Sequence, residues 1–266
     1  MLRSLFTGIS GLAAHQQMLD VASNNIANVN TTGYKSSSAV FSDTLSQTLQ
    51  GASAGTATQG GTNGKQVGLG VKLAGVVTDF TQGSTQVTGR GTDMLVDGDG
   101  FFMVSQGGAT MYTRQGSYSL DQVGHLVTPA GGMLEDPTGA VITLTGLTNG
   151  TYQSYSIAQD GTINAVDSTG ASTQLGQIGL ATFANPAGLQ KMGDSEWAVS
   201  GNSGPPIIGA PETGAFGKIT AGALEMSNVN LAAELTNLII AERGFQANSR
   251  VISTSDEVLQ TLVQLS

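Results

Sequence analysis

The 266-residue chain has no cysteine, only two histidines and one tryptophan, and charged residues make up just 11% of it. Without cysteine there can be no disulfide, no thiolate metal site and no cysteine nucleophile. The histidines, His15 and His125, are far apart in sequence, so neither a histidine metal centre nor a triad is supported. Ten Lys and Arg stand against nineteen Asp and Glu, a formal charge of −9. The basic residues are scattered singly, so no basic face exists for nucleic acid or an anionic membrane. No apolar run approaches the roughly 18 residues of a membrane span. The expectation is a protein with no nucleic-acid partner and no membrane insertion. LFTGISGLAA, near the N-terminus, is a weak signal-peptide candidate, but its apolar spacing continues unchanged to Ile26, so the mature protein is expected to start at or near Met1.

What is abundant is glycine, 38 residues, nearly twice what a usage of about 7% gives. With 39% apolar residues the chain can still build a core. Such a composition predicts many turns, short strands and a surface of Ser, Thr, Asn and Gln.

The two ends carry a different signal. Leu5, Leu12, Leu19 and Ile26 are spaced by seven, and Leu2 and Ile9 precede the first two by three positions, which is a heptad seam. Leu231, Leu238, Phe245, Ile252 and Leu259 repeat the spacing at the other end, with a companion row of Leu235, Glu242, Ser249, Asp256 and Val263. In both segments one row stays apolar while the other turns polar, at the front through Gln16, Ser23 and Asn30. Polar seam residues cost stability but restrict register. The spacing predicts terminal helices that pair as a coiled coil, over 1–33 and 227–266. Gly8 and Gly11 each weaken the first helix by about 1 kcal/mol, so both ends are expected to order on association.

Asn24, Asn25, Asn28 and Asn30 crowd the end of the first helix, where asparagine is a poor interior residue. Asn24 and Asn28 are four apart and Asn25 and Asn28 three apart, so they share a face. Their amides are expected to bond nearby backbone and set register, with Gly33 supplying the turn that sends the chain away.

Between the ends, residues 34–66 read as a linker or bridging segment, and GASAGTATQGGTNGK within it is low-complexity. From 67 to 216 the period changes to two, with turn signals every eight to twelve residues, including Asp-Gly in MLVDGDGFFMV and YSIAQDGTINAV. This predicts an all-β domain, followed by a return segment over 217–226. The fold class is α+β, with the β domain inserted between paired terminal helices.

Catalytic and ligand motifs fail singly. GGTNGKQ has Gln59 and Gln66 where a phosphate loop needs Gly and Ser or Thr, so Lys65 carries little weight. Asp93, Asp97 and Asp99 read as acidic turn residues, with Gly98 and Gly100 supplying positive φ, rather than as a calcium loop. Glu196 beside Trp197 reads better as a core anchor than as a sugar-cleaving carboxylate. No enzyme, catalytic residue, metal site or cofactor is expected.

MLRSLFTGISGLAAHQQMLDVASNNIANVNTTGYKSS resembles the N-terminal signature of the bacterial flagellar axial proteins, the rod and hook subunits. LEMSNVNLAAELTNLIIAERGFQANSRVISTSDEVLQTLVQL is similar to their C-terminal signature, and GLGVKLAGV, TDMLVDGDGFFMV, MYTRQGSYSLDQVGHLVT and GQIGLATFANPAGL resemble landmarks of their β domain. Within the family the short hook type, with a single outer domain, is most similar, and the distal rod type is the near rival. The resemblance implies a homo-polymer in which paired helices line a tube, the segment after the first helix bridges to neighbours, and the β domain lies outside. It implies export through the flagellar type III apparatus without a cleaved signal peptide, and an extracellular place in the flagellar hook or basal body. The partners implied are the distal rod protein below, a hook cap during growth and the hook-filament junction protein above. The function implied is a universal joint that passes motor torque to the filament. A secreted coiled-coil stalk with a β head is a more distant alternative.

Overall fold

The computed structural model describes residues 2–55, 60–144, 152–167 and 169–264. The chain divides into two compact units, one of residues 1–27, 37–78 and 230–266 and the other of 28–36 and 79–229.

The first unit is a helix pair with two β ribbons. Helix α1 is Leu2–Ala27, and the four strands are β1 (Ser37–Asp43), β2 (Ser46–Gln50), β3 (Lys65–Gly68) and β4 (Val71–Thr78). β1 pairs antiparallel with β4 around a bulge at Val40/Phe41, and β2 pairs antiparallel with β3. Thr44 fixes the first bend, its N–H and Oγ1 both donating to the Gly70 carbonyl, at 2.9 and 3.0 Å. The C-terminal helix α2, Leu231–Gln264, is capped by Asn230, whose Oδ1 accepts the N–H groups of Ala232 and Ala233 at 3.1 and 3.2 Å. Glu234 in the first turn suits the positive end of the helix dipole.

Among the described residues the second unit is built of strands and one 3-10 turn, Pro186–Gly188: β5 (Thr85–Val87), β6 (Met94–Asp97), β7 (Phe101–Gln106), β8 (Ala109–Thr113), β9 (Ser119–Leu120), β10 (Leu126–Val127), β11 (Met133–Leu134), β12 (Tyr152–Ile157), β13 (Thr162–Asp167), β14 (Ser172–Gln177), β15 (Leu180–Thr182), β16 (Gln190–Gly193), β17 (Glu196–Ala198), β18 (Ile207–Gly209), β19 (Lys218–Ala221) and β20 (Ala223–Glu225). The main sheet runs β16-β17-β8-β7-β11-β10-β9, with β15 joined to β7 and β18. β12, β13 and β14 form a second sheet, and β19 and β20 pair with β6 and β5.

β7 explains the core. Phe102 and Val104 join one buried cluster with Tyr118, Leu126, Leu134, Ile163 and Leu180, while Phe101 and Met103 join another with Tyr112, Phe183 and Trp197. A strand buried on both faces needs apolar residues in succession, which is why FFMV lacks alternation. Gly98 and Gly100 beside it have φ of 114° and 139°, as the acidic-turn reading requires.

Several expected boundaries differ. α1 stops at Ala27 rather than continuing to 33, because Asn28 closes a turn onto the Thr31 N–H at 3.1 Å. Residues 34–66 are not a plain linker: β1, β2 and the start of β3 lie there, each pairing in a ribbon. Residues 67–78 alternate as strands should, yet they pair with β1 and β2 and belong to the helix unit. The return segment 217–226 is part of the β unit, because Ile219, Ala223 and Leu224 are buried there and β19 and β20 are paired strands.

Candidate assembly surface

The two terminal helices are paired antiparallel within the single chain. Ser4 Oγ lies 3.5 Å from Ser255 Oγ, and Asn25 Nδ2 donates to Glu234 Oε1 at 3.0 Å. Between these ends Gly8 faces Ile252 and Asn248, Gly11 faces Asn248, and His15 lies on Gly244. The partners descend α2 as they ascend α1. Ala14, Ala22 and Ala241 are buried in the same unit.

The heptad is therefore present, but its phase differs from the leucine rows. Ser4, Gly11 and Asn25 stand one residue before Leu5, Leu12 and Ile26, and they, with Gly8 and His15, make the contact. On α2 the seven-residue row is Glu234, Ala241, Asn248 and Ser255. The reason is steric: glycine, alanine and serine let two helix backbones approach closely, and the branched side chains are turned to the flanks. The pairing of the terminal helices is as expected, while Gly8 and Gly11, expected only to weaken α1, stand in the contact itself.

The leucine rows consequently remain open. Leu5, Leu12, Leu19, Ile26, Leu238, Ile252 and Leu259 are half-buried, and of these Ile252 reaches the contact, against Gly8. Ile9 is 53% exposed, Leu231 and Leu235 44% and 45%, Phe245 37% and Val263 72%. The Leu2 side chain lies outside the described residues. One further row escaped sequence reading. Ile240, Val251, Val258 and Leu262 are all exposed. At 3.6 residues per turn this row and the Leu231, Leu235, Phe245 row lie on opposite sides of the buried Ala241. α2 thus presents two different apolar flanks.

The asparagine cluster has a distinct geometry. Asn25, 1% exposed, is bonded at both ends of its amide to Ser37: Nδ2 donates to the Ser37 carbonyl at 2.7 Å, and Oδ1 accepts the Ser37 N–H at 3.1 Å. One side chain thereby joins α1, α2 and β1. Asn28 Oδ1 accepts from Thr31 Oγ1 at 3.1 Å. Asn24 is exposed on α1, and Asn28 lies past its end in a turn, so the helix face expected to join Asn28 with Asn24 and Asn25 does not extend to it. Gly33 has φ +68°, and a Cβ there would lie 2.5 Å from the Gln115 nitrogen, so the position needs glycine on both counts.

The β unit also holds a buried ion triad that no sequence motif signals. Lys35 Nζ lies 2.6 Å from Glu225 Oε1, and Arg114 Nη1 lies 3.4 Å from Glu225 Oε2. All three side chains are at least 95% buried. Lys35 also donates to the Thr81 carbonyl at 2.8 Å, and Arg114 Nη2 to that of Gly98 at 2.9 Å. Burial lowers the pKa of both cations from their ordinary values, against the opposing pull of Glu225. Trp197 is a core residue, 2% exposed, and the adjacent Glu196 is buried with no partner for Oε1 among the described residues. Burial, and secondarily the charge of Asp194, raises the Glu196 pKa.

Helices paired through small residues, with apolar rows left outward on two flanks, define a structural chain built to meet further chains. Comparison with known proteins agrees. Residues 5–35 match the model of the flagella basal body rod protein family, 95–165 that of the flagellar hook protein FlgE/F/G D1 domain, and 220–265 that of the flagellar basal body rod FlgEFG protein C-terminal region. The chain is 48% identical to the flagellar basal-body rod protein FlgG of Bacillus subtilis over 100% of this chain and 99% of the relative. It is 36% identical to FlgG of Borreliella burgdorferi over 97% of each. The hook protein FlgE of the same organism is 29% identical over 100% of both chains, in an alignment of 440 positions. The chain belongs to the flagellar rod and hook protein family, and it is a structural protein of the flagellar axis rather than an enzyme.

Proposed function

We propose that the chain is the hook subunit, polymerising through its terminal helices into a bendable tube that passes torque to the filament. The observation that carries polymerisation is the pair of unlike apolar flanks on α2. A two-fold dimer buries one patch against itself, whereas two different patches on one element favour head-to-tail contacts, which propagate as a helix when they do not close. Each covered Val, Leu or Ile contributes roughly 1.5 to 3 kcal/mol, enough in sum to drive association.

The hook reading within the family is supported by the segment after β1. Every residue of Ser46–Gln50 and Lys65–Gly68 is exposed, and a lone two-stranded ribbon is marginal in water. With its Gly, Ala, Ser and Thr-rich connection it is a soft link, suited to a tube whose subunits must shear past one another. On this reading the subunit leaves the cell through the flagellar type III apparatus without a cleaved signal peptide. It stands on the distal rod protein, grows under a hook cap and carries the hook-filament junction protein.

The distal rod is the second reading, favoured by end-to-end identity with a rod protein of matching length while the hook relative is longer. Electron microscopy of the concentrated full-length protein tests both. Curved or bendable tubes are expected; straight, stiff tubes select the rod, and discrete particles at every concentration overturn polymerisation.

A further inference from the structure

We propose that the Asp194–Ser195 turn of one copy receives the β2–β3 ribbon of a second copy, with Lys65 entering the pocket beside the turn and pairing with the Asp194 carboxylate. The proposal rests on the polymer reading above.

Three observations meet here. The first is the turn itself. β16 and β17 are joined with Gly193 opposite Glu196, so Asp194 and Ser195 form a two-residue connection, and both have left-handed φ, 48° and 59°. Such a turn is least strained as Asn-Gly. Two non-glycine residues held in the left-handed region are a local rule broken, and strain of this kind collects where a site must be presented.

The second is the pocket beside the turn, about 250 Å³, lined by Thr31, Gln115, Pro129, Ala130, Asp194 and Ser195. Pro129 and Ala130 supply an apolar wall, and the carboxylate and hydroxyls supply acceptors. That combination fits a lysine, whose methylene stem lies on apolar surface while its ammonium seeks oxygen. Among the described residues no cation pairs with Asp194.

The third is a census of the ten basic residues. Lys35 and Arg114 are buried on Glu225, Arg90 and Lys218 pair with Asp93 and Asp97, and Lys191 stands over the Tyr34 ring at 4.2 Å. The remaining five, Arg3, Lys65, Lys72, Arg243 and Arg250, have no ion pair among the described residues and all lie in the helix and ribbon unit. Of these only Lys65 is on the ribbon that is exposed at every position. An uncovered ribbon carrying an unpaired ammonium and a pocket carrying an unpaired carboxylate complement each other in charge.

The experiment is zero-length carbodiimide coupling of assembled tubes and of dilute monomer, with the linked peptides identified by mass spectrometry. A Lys65–Asp194 isopeptide in tubes, at least tenfold enriched over monomer, is expected. Tubes that form normally without that link overturn the contact and leave the polymer reading standing; an unmodified chain that makes no tubes overturns the polymer reading itself. A second arm uses the Asp194→Asn, Ser195→Gly double variant, which relaxes the turn. A higher Tm together with at least a tenfold higher critical concentration is expected. A higher Tm with unchanged assembly overturns the proposal.

Discussion

Gly244 on α2 lies directly against the imidazole of His15 on α1, so that a Cβ on Gly244 would overlap the ring. At Gly8 the corresponding Cβ would meet Ile252 Cγ1 at 3.2 Å, a contact that a small side-chain shift relieves. Two helical glycines in one interface therefore face opposite consequences of the same substitution.

Alanine in a helix gains about 1 kcal/mol over glycine, whereas overpacking a close contact costs about 1 to 3 kcal/mol. Gly8→Ala is expected to be neutral or mildly stabilising, and Gly244→Ala to destabilise helix pairing by about 1 to 2 kcal/mol. Thermal melts followed by far-ultraviolet circular dichroism check both. Equal effects at the two sites would contradict the packing described.

Glu225 holds two buried cations. Glu225→Gln leaves Lys35 and Arg114 facing one another without a counter-charge, and breaking a buried pair in this way costs about 3 to 5 kcal/mol. Lys35→Met leaves the Arg114–Glu225 pair intact and is expected to cost less. Chemical denaturation of the two variants ranks them, and a smaller loss for Glu225→Gln than for Lys35→Met would refute the triad's role.

Glu196 and Glu135 titrate against the fold. Burial, the first cause for each, raises both pKa values. A carboxyl whose folded pKa lies above its unfolded value favours the folded state most below the ordinary carboxylate range, and that contribution is lost as pH rises through the raised value. Glu196→Gln is expected to stabilise the protein at pH 7 by about 1 kcal/mol, since it removes a buried charge whose Oε1 has no partner among the described residues. It should also flatten the decline between mildly acidic and neutral pH. Denaturation midpoints across that window provide the measurement; a variant as pH-dependent as the parent would exclude Glu196 as the cause.

Asn25→Ala removes both bonds to Ser37 and the bond to Glu234. Intrinsic helicity rises, since alanine is the better helix former, while about 1 to 3 kcal/mol is lost at the junction from unpaired groups. Faster hydrogen exchange at Ser37 and impaired tube formation are the expected outcomes. Unaltered exchange there would show that the amide does not hold β1.

Element type was legible because periodicity reports it: period seven at Leu5, Leu12 and Leu19, period two at Val71 and Leu73 in β4, although the alternation read from Val67 runs across the break between β3 and β4 at Leu69. Phase was not. The heptad rule assigns the seam to the largest apolar residues, but Gly11 and Gly244 can bring two backbones together where Leu12 and Leu238 cannot, and that choice depends on the partner helix. Nor could alternation reveal that β4 pairs with β1 instead of joining the β unit. The ion triad was illegible for a different reason. Lys35, Arg114 and Glu225 are isolated in sequence, and isolated charges ordinarily stay in water. For Asn25 the clue was present, a poor helix former inside a helix, but its partner Ser37 is set by the turn between them.

The bond from Ser36 N–H to Asn228 Oδ1, 2.7 Å, and that from Gly33 N–H to the Glu225 carbonyl, 2.8 Å, bear on the order in which the chain folds. Ser4 and Ser255 are 251 residues apart, and closing so long a loop costs about 5 kcal/mol in chain entropy. Once the β unit has folded, these bonds hold its entering and leaving segments side by side, and the Asn25–Glu234 contact, 209 residues apart in sequence, then closes a loop of only about 17 residues, at about 2.5 kcal/mol. The helices then meet almost as a local hairpin. Until that moment the outward apolar rows have no ordered platform, so the folding sequence itself delays the appearance of an adhesive surface until the subunit is complete.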